Sequence, residues 1–372
     1  MKLSIISFTR RGSLLAVRLG VLLREAGYDC DTFLPDRFFA EAAAPDGGPQ
    51  GSGRNMEIFP LMGEKAKDWA GRMFSRGRSM IFIGAAGIAV RAAAPWLKDK
   101  FEDPAMVVMD EAGRFAIPIL SGHAGGANGL ARVIGDLTGA MPVITTATDV
   151  NRLFSVDEFA ARNGLTISSR LQAKNIAMAL LEGEPVGFFS DFPVCGSEKD
   201  GKWIPPGCSA ENQQRNIRIT VRQRGDGWQK EDLILTPRAL VLGVGCRREI
   251  EREKLETEIM AALAEENLRP EAVKTLATID LKADERAILE LSERWGWKVI
   301  SFSAEDLRRV PGRFSSSPFV LQTVGVDNVC ERAACAGAPE GVLVMRKRAG
   351  GGVTVAAVLE HVEIGWTRED ST

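Results

Sequence analysis

Short unbroken apolar runs alternate with longer stretches whose apolar residues recur every three or four positions. That pattern predicts strands and amphipathic helices in turn. Lys2 to Phe8 reads as a buried strand, and Thr9 to Ser13 as a loop ending in Ser13 as N-cap. Leu14 to Ala26 is a helix with Leu15, Leu19, Leu22 and Leu23 on one stripe, and Asp29 to Leu34 is a second strand. Pro45 to Asn55 is a polar, glycine-rich loop, and Lys65 to Phe74 a helix. Strand Ser79 to Ile83 runs into Gly84-Ala85-Ala86-Gly87-Ile88-Ala89-Val90-Arg91. Two apolar runs, Ala105 to Met109 and Phe115 to Leu120, flank the turn Asp110 to Gly113. Ser121-Gly122-His123-Ala124-Gly125-Gly126-Ala127-Asn128 then leads into a helix, Gly129 to Leu137, stopped by Gly139.

The same alternation continues. Pro142 to Thr146 reads as a strand, and Ser155 with Glu158 fits a capping box at a helix start. Arg170 to Leu181 is a helix and Pro185 to Phe189 a strand. Phe192 to Asp226 is rich in Pro, Gly and polar residues, with a short strand at Ile217 to Arg222, and Thr236-Pro237-Arg238 reads as a linker. A new series begins at strand Leu240 to Val244, enters Gly245-Cys246-Arg247-Arg248-Glu249, and passes to a helix from about Glu251 to Glu265. Strands Val273 to Thr278 and Lys298 to Phe302 alternate with helices Asp284 to Trp295, Ala304 to Arg309 and Asn328 to Ala336. Gly341 to Arg346 and Val353 to Leu359 form an antiparallel pair. The expected class is α/β. It has three-layer β-α units in an N-terminal domain, 1–139, a small middle α/β domain, 140–236, and a separate C-terminal α/β domain with a mixed sheet, 237–372. Ligands are expected at the carboxyl ends of strands.

Composition narrows the function classes. The 372 residues are 45% apolar and 26% charged, the balance of a globular protein. No apolar run of about 18 residues is present, so no membrane span is expected. The N-terminus does not read as a signal peptide, and the cytoplasm is the expected compartment. A net charge of −2 gives no footprint for nucleic acid. Six cysteines without a C-x-x-C pair, and two histidines, argue against a zinc site or a disulfide framework. No metal ligands are expected.

The stretch Ser121 to Asn128 concentrates chemistry. A strand-to-helix junction supplies backbone N–H groups and the positive end of a helix dipole. Gly122, Gly125 and Gly126 would let a ligand approach, and Asn128 offers both donor and acceptor. His123 is a candidate general base, acid or substrate donor. Asp157 and Glu158 open a helix, where capping and a catalytic role are both open. Gly84 and Gly87 suit either a tight turn or anion contact, but no P-loop or complete dinucleotide fingerprint is present. Cys246, beside Arg247 and Arg248, is either a thiolate nucleophile favoured by cations and a helix start, or a small residue fitting its turn. Gly312 to Pro318 with Thr323 to Glu331 reads equally as pocket or cap. His361 reads as a surface residue, and Cys330 and Cys335 as packing residues.

An ordered set of motifs runs through nearly the whole chain. It comprises Ser121-Gly122-His123-x-Gly125-Gly126-Ala127-Asn128, Ser155-Val156-Asp157-x-Phe159-Ala160, Gly243-x-Gly245-Cys246-Arg247, Gly325-Val326-x-x-Val329-Cys330-Glu331, and Gly351-Gly352-Val353-Thr354-Val355-Ala356. In this order the set resembles the cobalt-precorrin-5A hydrolase family (CbiG) of anaerobic cobalamin biosynthesis, with a CobE-like domain after about residue 237. Members of that family often carry a glycine where Glu249 stands here.

The resemblance implies a cobalt macrocycle, cobalt-precorrin-5A, with many carboxylates and a δ-lactone. Water opens the lactone, the freed alcohol loses acetaldehyde, and cobalt-precorrin-5B remains. Cobalt belongs to the substrate, so no cofactor of the protein's own is expected. The expected partners are this small molecule and neighbouring pathway enzymes, with a homodimer compatible and nucleic acid and membrane excluded.

Residue chemistry, not the resemblance, suggests the roles. His123 would be the base for water, and the N–H groups of Gly125 and Gly126 the oxyanion donors. Asp157 or Glu158 would take the alcohol proton. Gly84, Gly87, Arg91, Ser121, Gly122, Asn128, Arg152, Gly245, Cys246 and Arg247 complete the expected substrate contacts. The rival readings are a non-catalytic carrier of tetrapyrrole intermediates and a nucleotide-dependent enzyme.

Overall fold

The computed structural model describes residues 1–42, 57–99, 102–123, 125–195 and 203–365. The loop expected at Pro45 to Asn55 lies outside them. The chain divides into two compact units, Met1–Glu158 and Phe159–Thr372.

The first unit starts with β1 (Lys2–Ser7), α1 (Arg10–Glu25), β2 (Asp29–Leu34), α2 (Asp36–Ala42), β3 (Ile58–Pro60), α3 (Ala66–Ser75), β4 (Ser79–Ile83) and α4 (Ala86–Ala93). It continues with β5 (Met106–Met109), β6 (Phe115–Leu120), α5 (Ala127–Thr138), β7 (Met141–Pro142) and α6 (Ala147–Val150). α7 (Val156–Arg162) crosses into the second unit. Helix α1 begins four residues before the expected Leu14. Thr9, in extended conformation, is the cap, and its Oγ1 accepts from Gly12 N–H at 3.0 Å. Ser13 lies inside the first turn, where its hydroxyl donates back to Thr9 O at 2.9 Å.

Among the described residues the strand order is β3-β2-β1-β4-β5-β6-β7. Side chains alternate across this sheet. Leu3, Ile5, Ile81 and Val107 face Leu19, Leu23, Leu130 and Ile134 of α1 and α5. Ile6, Phe82 and Val108 face Trp69, Met73 and Ala89 of α3 and α4. The result is helix, sheet, helix.

One reversal governs everything that follows. Strands β1 to β5 pair in parallel, but β6 turns back at Asp110 to Gly113 and pairs antiparallel with β5. In that register Ala116 stands opposite Met109 and Leu120 opposite Met106. The carboxyl end of β6 therefore lies at the edge where its parallel neighbours begin. The strand expected over Pro142 to Thr146 is shorter: β7 pairs with β6 only at Met141 and Pro142, and Thr146 caps α6.

The second unit holds β8 (Leu165–Ile167), α8 (Arg170–Leu181), β9 (Val186–Ser190), β10 (Val194–Cys195), β11 (Cys208–Ser209), β12 (Asn216–Ile219) and β13 (Leu233–Pro237). There follow β14 (Leu240–Cys246), α9 (Arg252–Glu265), β15 (Val273–Ile279), α10 (Arg286–Trp295), β16 (Lys298–Phe302), α11 (Ala304–Arg309), α12 (Pro318–Val324), α13 (Cys330–Gly337), β17 (Val342–Gly350), β18 (Val353–Leu359) and β19 (Ile364–Gly365). Its sheets have the orders β11-β9-β12-β13-β8, β16-β15-β14-β18-β17 and β10-β19. The second of these is mixed, with β14 parallel to β15 and antiparallel to β18. Helix α13 lies directly on β14, and a Cβ at Gly243 would stand 1.7 Å from Cys330 O. That glycine is there for helix–strand contact.

Candidate active site

The chain between β6 and α5 coils onto itself. Ala127 N–H donates to Ser121 O at 3.2 Å, Asn128 N–H to Gly122 O at 3.0 Å and Gly126 N–H to His123 O at 3.0 Å. The Gly126 N–H, expected as an oxyanion donor, is therefore already used. The glycines are also explained locally. A Cβ at Gly122 would meet Asn128 Oδ1 at 2.8 Å, and one at Gly125 would meet Ser121 Cβ at 2.5 Å. Gly126 has φ +83°, a left-handed value suited to glycine. Close packing at Gly122 and Gly125 and backbone conformation at Gly126 account for these three locally.

Helix α5 sets the next layer. Asn128 and Arg132 are four apart and share one face. Opposite them the chain after β7 passes Thr146 and turns through α6, which carries Thr148 and Asp149. Asp149 Oδ2 accepts from His123 Nε2 at 2.8 Å and from Asn128 Nδ2 at 2.9 Å. Its Oδ1 accepts from Arg132 Nη2 at 2.6 Å. Asn128 Nδ2 also donates to Thr146 Oγ1 at 3.0 Å, and Thr148 Oγ1 lies 3.1 Å from His123 Nε2. Burial raises the Asp149 carboxyl, but hydrogen bonds from His123 and Arg132, with the charge of Arg132, outweigh it and hold the group below the usual carboxylate range.

Glu158 joins this cluster from the first turn of α7. Ligand atoms of His123, Asp149 and Glu158 all lie within 4.8 Å of one another. Arg132 Nη1 is 4.0 Å from Glu158 Oε1, so the guanidinium stands beside both carboxylates and is the cation of the site. The Ser155 hydroxyl accepts from Glu158 N–H at 3.4 Å, which starts the helix. Asp157 is not among the three side chains that meet within 4.8 Å. The side chains of His123 and Asp149 are 17% and 9% exposed, so the imidazole reaches solvent while its partner is covered.

Several expected contacts fall elsewhere. Gly84 follows β4, and its N–H donates to Met109 O at the carboxyl end of β5. Gly84 therefore lies at the end of the sheet opposite His123, and Gly87 and Arg91 belong to α4, the helix that follows it. β4 has five residues, so the edges are about 16 Å apart at roughly 3.3 Å per residue. Arg91 donates to Gly87 O within its own helix, at 3.4 Å. Arg152 is exposed with φ +54°.

Gly245, Cys246 and Arg247 belong to the second unit. Cys246 is not at a helix start: it ends β14, opposite Val353, and α9 begins at Arg252. Burial pushes its thiol up to about 11, against the opposing charge of Lys282. Of the two readings left open for Cys246, these surroundings favour the small residue fitting its turn over the thiolate. A Cβ at Gly245 would meet Thr354 Oγ1 at 2.7 Å. Glu249 has φ +56°, a conformation that glycine adopts without strain. Asn328 Oδ1 accepts Glu331 N–H at 2.9 Å, and both side chains are buried in a network with Ser315, so Asn328 caps the start of α13, while Gly312 to Phe314 line a cavity of about 510 Å³. His361, with a 67% exposed side chain, stands at the surface beside Glu363.

Asp149, Arg132, Thr146 and Thr148 join the site without having been singled out by the sequence. The i, i+4 spacing of Asn128 and Arg132 was the signal that could have found Arg132. Asp149 had no local signal, since it comes from a separate element.

Three sequence profiles cover most of the chain: a cobalamin synthesis G N-terminal profile matches residues 68–149, a cobalamin biosynthesis central region 154–237, and a cobalamin synthesis G C-terminus 240–358. A cobalt-precorrin-5A hydrolase of Salmonella typhimurium is 37% identical over 278 residues, 71% of this chain and 77% of that protein. A protein of the same name from Priestia megaterium is 32% identical over 77% of this chain and 80% of its own length. Protein CobE of a Sinorhizobium species is 32% identical over 110 residues, 29% of this chain and 71% of that one. With the motifs in one order, the three profiles spanning 68–358 and a relative 37% identical over most of its length, the chain belongs to the cobalt-precorrin-5A hydrolase (CbiG) family.

Proposed function

We propose that this chain acts in the cytoplasm as a cobalt-precorrin-5A hydrolase, opening the substrate lactone with water and releasing acetaldehyde. The observation that carries the site assignment is the placement of His123. Of the chain's two histidines, this one is partly covered and hydrogen-bonded to a buried carboxylate. His123 takes a proton from water as the water adds to the lactone carbonyl. The tetrahedral intermediate then collapses, the C–O bond to the ring oxygen breaks, and the imidazolium returns its proton to that oxygen. Glu158, beside the imidazole, takes the proton of the freed alcohol as the C–C bond breaks, and the macrocycle accepts the electron pair. Arg132 attracts carboxylates of the substrate. Cobalt enters as part of the substrate.

The test is His123→Ala, assayed for acetaldehyde from cobalt-precorrin-5A. The expected result is a loss of about 100-fold or more, with binding of the macrocycle retained. An unchanged rate removes His123 as base. A wild-type protein that binds the macrocycle without turnover supports the carrier reading instead.

A further inference from the structure

We propose that Asp149 is a positioning residue that fixes His123 in its Nε2–H tautomer, so that Nδ1 is the nitrogen that accepts the proton. This rests on the hydrolase reading above and names the geometry of the same site.

The inference follows from what each atom can do. A carboxylate oxygen has only lone pairs, so a hydrogen must lie between Asp149 Oδ2 and His123 Nε2 at 2.8 Å. Asp149 is ionised at neutral pH, because Arg132 and Asn128 donate to it as well. The hydrogen therefore sits on Nε2. A neutral imidazole carries one N–H, so the lone pair is on Nδ1. Among the described residues Nδ1 makes no hydrogen bond, while the side chain is 17% exposed. The ring is thus held at Nε2, and Nδ1 has no partner among the described residues.

Every charged group of the cluster fits this division. Arg132, from α5, keeps the Asp149 carboxylate ionised without touching the imidazole. Glu158, from α7, adds a second negative charge that favours the imidazolium once Nδ1 has taken a proton. Thr148 Oγ1 at 3.1 Å from Nε2 accepts a second share of the same N–H. The fold supplies this from three separated elements, which hold the ring through its partners.

The chain's two histidines make the test direct. In full-length protein carrying His361→Gln, the ring nitrogens of His123 are observed by ¹⁵N NMR at neutral pH. The expected result is a protonated Nε2 and an unprotonated Nδ1. A protonated Nδ1 overturns the proposal, whatever the activity. Asp149→Asn turns an acceptor into a side chain that can donate to Nε2 through Nδ2, so the neutral ring should switch to Nδ1–H. The expected kinetic effect is a fall in kcat of about 100-fold or more with little change in KM, and partial recovery in Asp149→Glu. Loss in KM alone, with the tautomer unmoved in Asp149→Asn, overturns the positioning role. Should Asp149→Asn fail to fold, the wild-type tautomer still decides. A correct tautomer without acetaldehyde release retires the hydrolase reading and leaves the positioning intact.

Discussion

His123 and Asp149 stand 26 positions apart and meet through one hydrogen bond of 2.8 Å. His123 comes from the loop after β6 and Asp149 from α6, and α5 lies between them in the chain, contributing Asn128 and Arg132 to the same carboxylate. These donors favour the ionised form, so the folded pKa of Asp149 lies below its unfolded value. The stabilisation is then fully present above the ordinary Asp range of about 4 and is lost as pH falls through the depressed folded value.

Asp149→Asn should therefore destabilise the protein by about 1–3 kcal/mol at pH 7, since it leaves buried donors badly paired. The difference from wild type should shrink steadily below about pH 4. Urea unfolding of both proteins across that range measures it. A difference of the same size at pH 7 and pH 3 would show that the charge of Asp149 contributes nothing to stability.

Arg91 and His123 separate two ends of one sheet. Arg91 follows β4 at the edge where the parallel strands finish, and His123 follows β6, which runs the other way. With the site at His123 and Arg91 hydrogen-bonded within α4, Arg91 is not expected to take part in the lactone chemistry. Arg91→Ala should leave kcat and KM for acetaldehyde release within about twofold, while Arg132→Ala raises KM or lowers kcat by about tenfold or more. A large effect of Arg91→Ala would mean that the substrate is bound at the parallel-strand edge.

That reversal also explains what was legible in the sequence. Strands such as Ser79–Ile83 and Phe115–Leu120 are continuous apolar runs, and their bounds follow from composition alone. The loop with His123 and Asn128 was visible because glycines and polar residues concentrate there. Strand direction was not visible. A βαβ series and a hairpin both present apolar runs parted by turns, so the expectation of one shared ligand edge placed Gly84 and Arg91 with His123. Asp149 was hidden for a related reason. Its role depends on the chain returning beside β6 after β7, a tertiary event that no spacing within 147–150 encodes. Thr9 was overlooked as cap because two arginines and a glycine interrupt the apolar period that marks a helix start.

Cys246 offers the last prediction, and it concerns a group that resembles a nucleophile in sequence. A thiol beside Arg247 and Arg248 would be a thiolate if it opened a helix. Instead it closes β14, paired with Val353, and its environment is covered enough that burial pushes the thiol up to about 11 despite Lys282. At pH 7.5 the thiolate fraction is then very small, so alkylation by iodoacetamide should be slow. The exposed Cys195 should be modified first, as peptide mapping by mass spectrometry would show. Cys246→Ala should leave acetaldehyde release within about twofold, because a neutral, covered thiol neither attacks the lactone nor holds a carboxylate. Rapid alkylation of Cys246 at neutral pH, with loss of activity in proportion, would return it to the site.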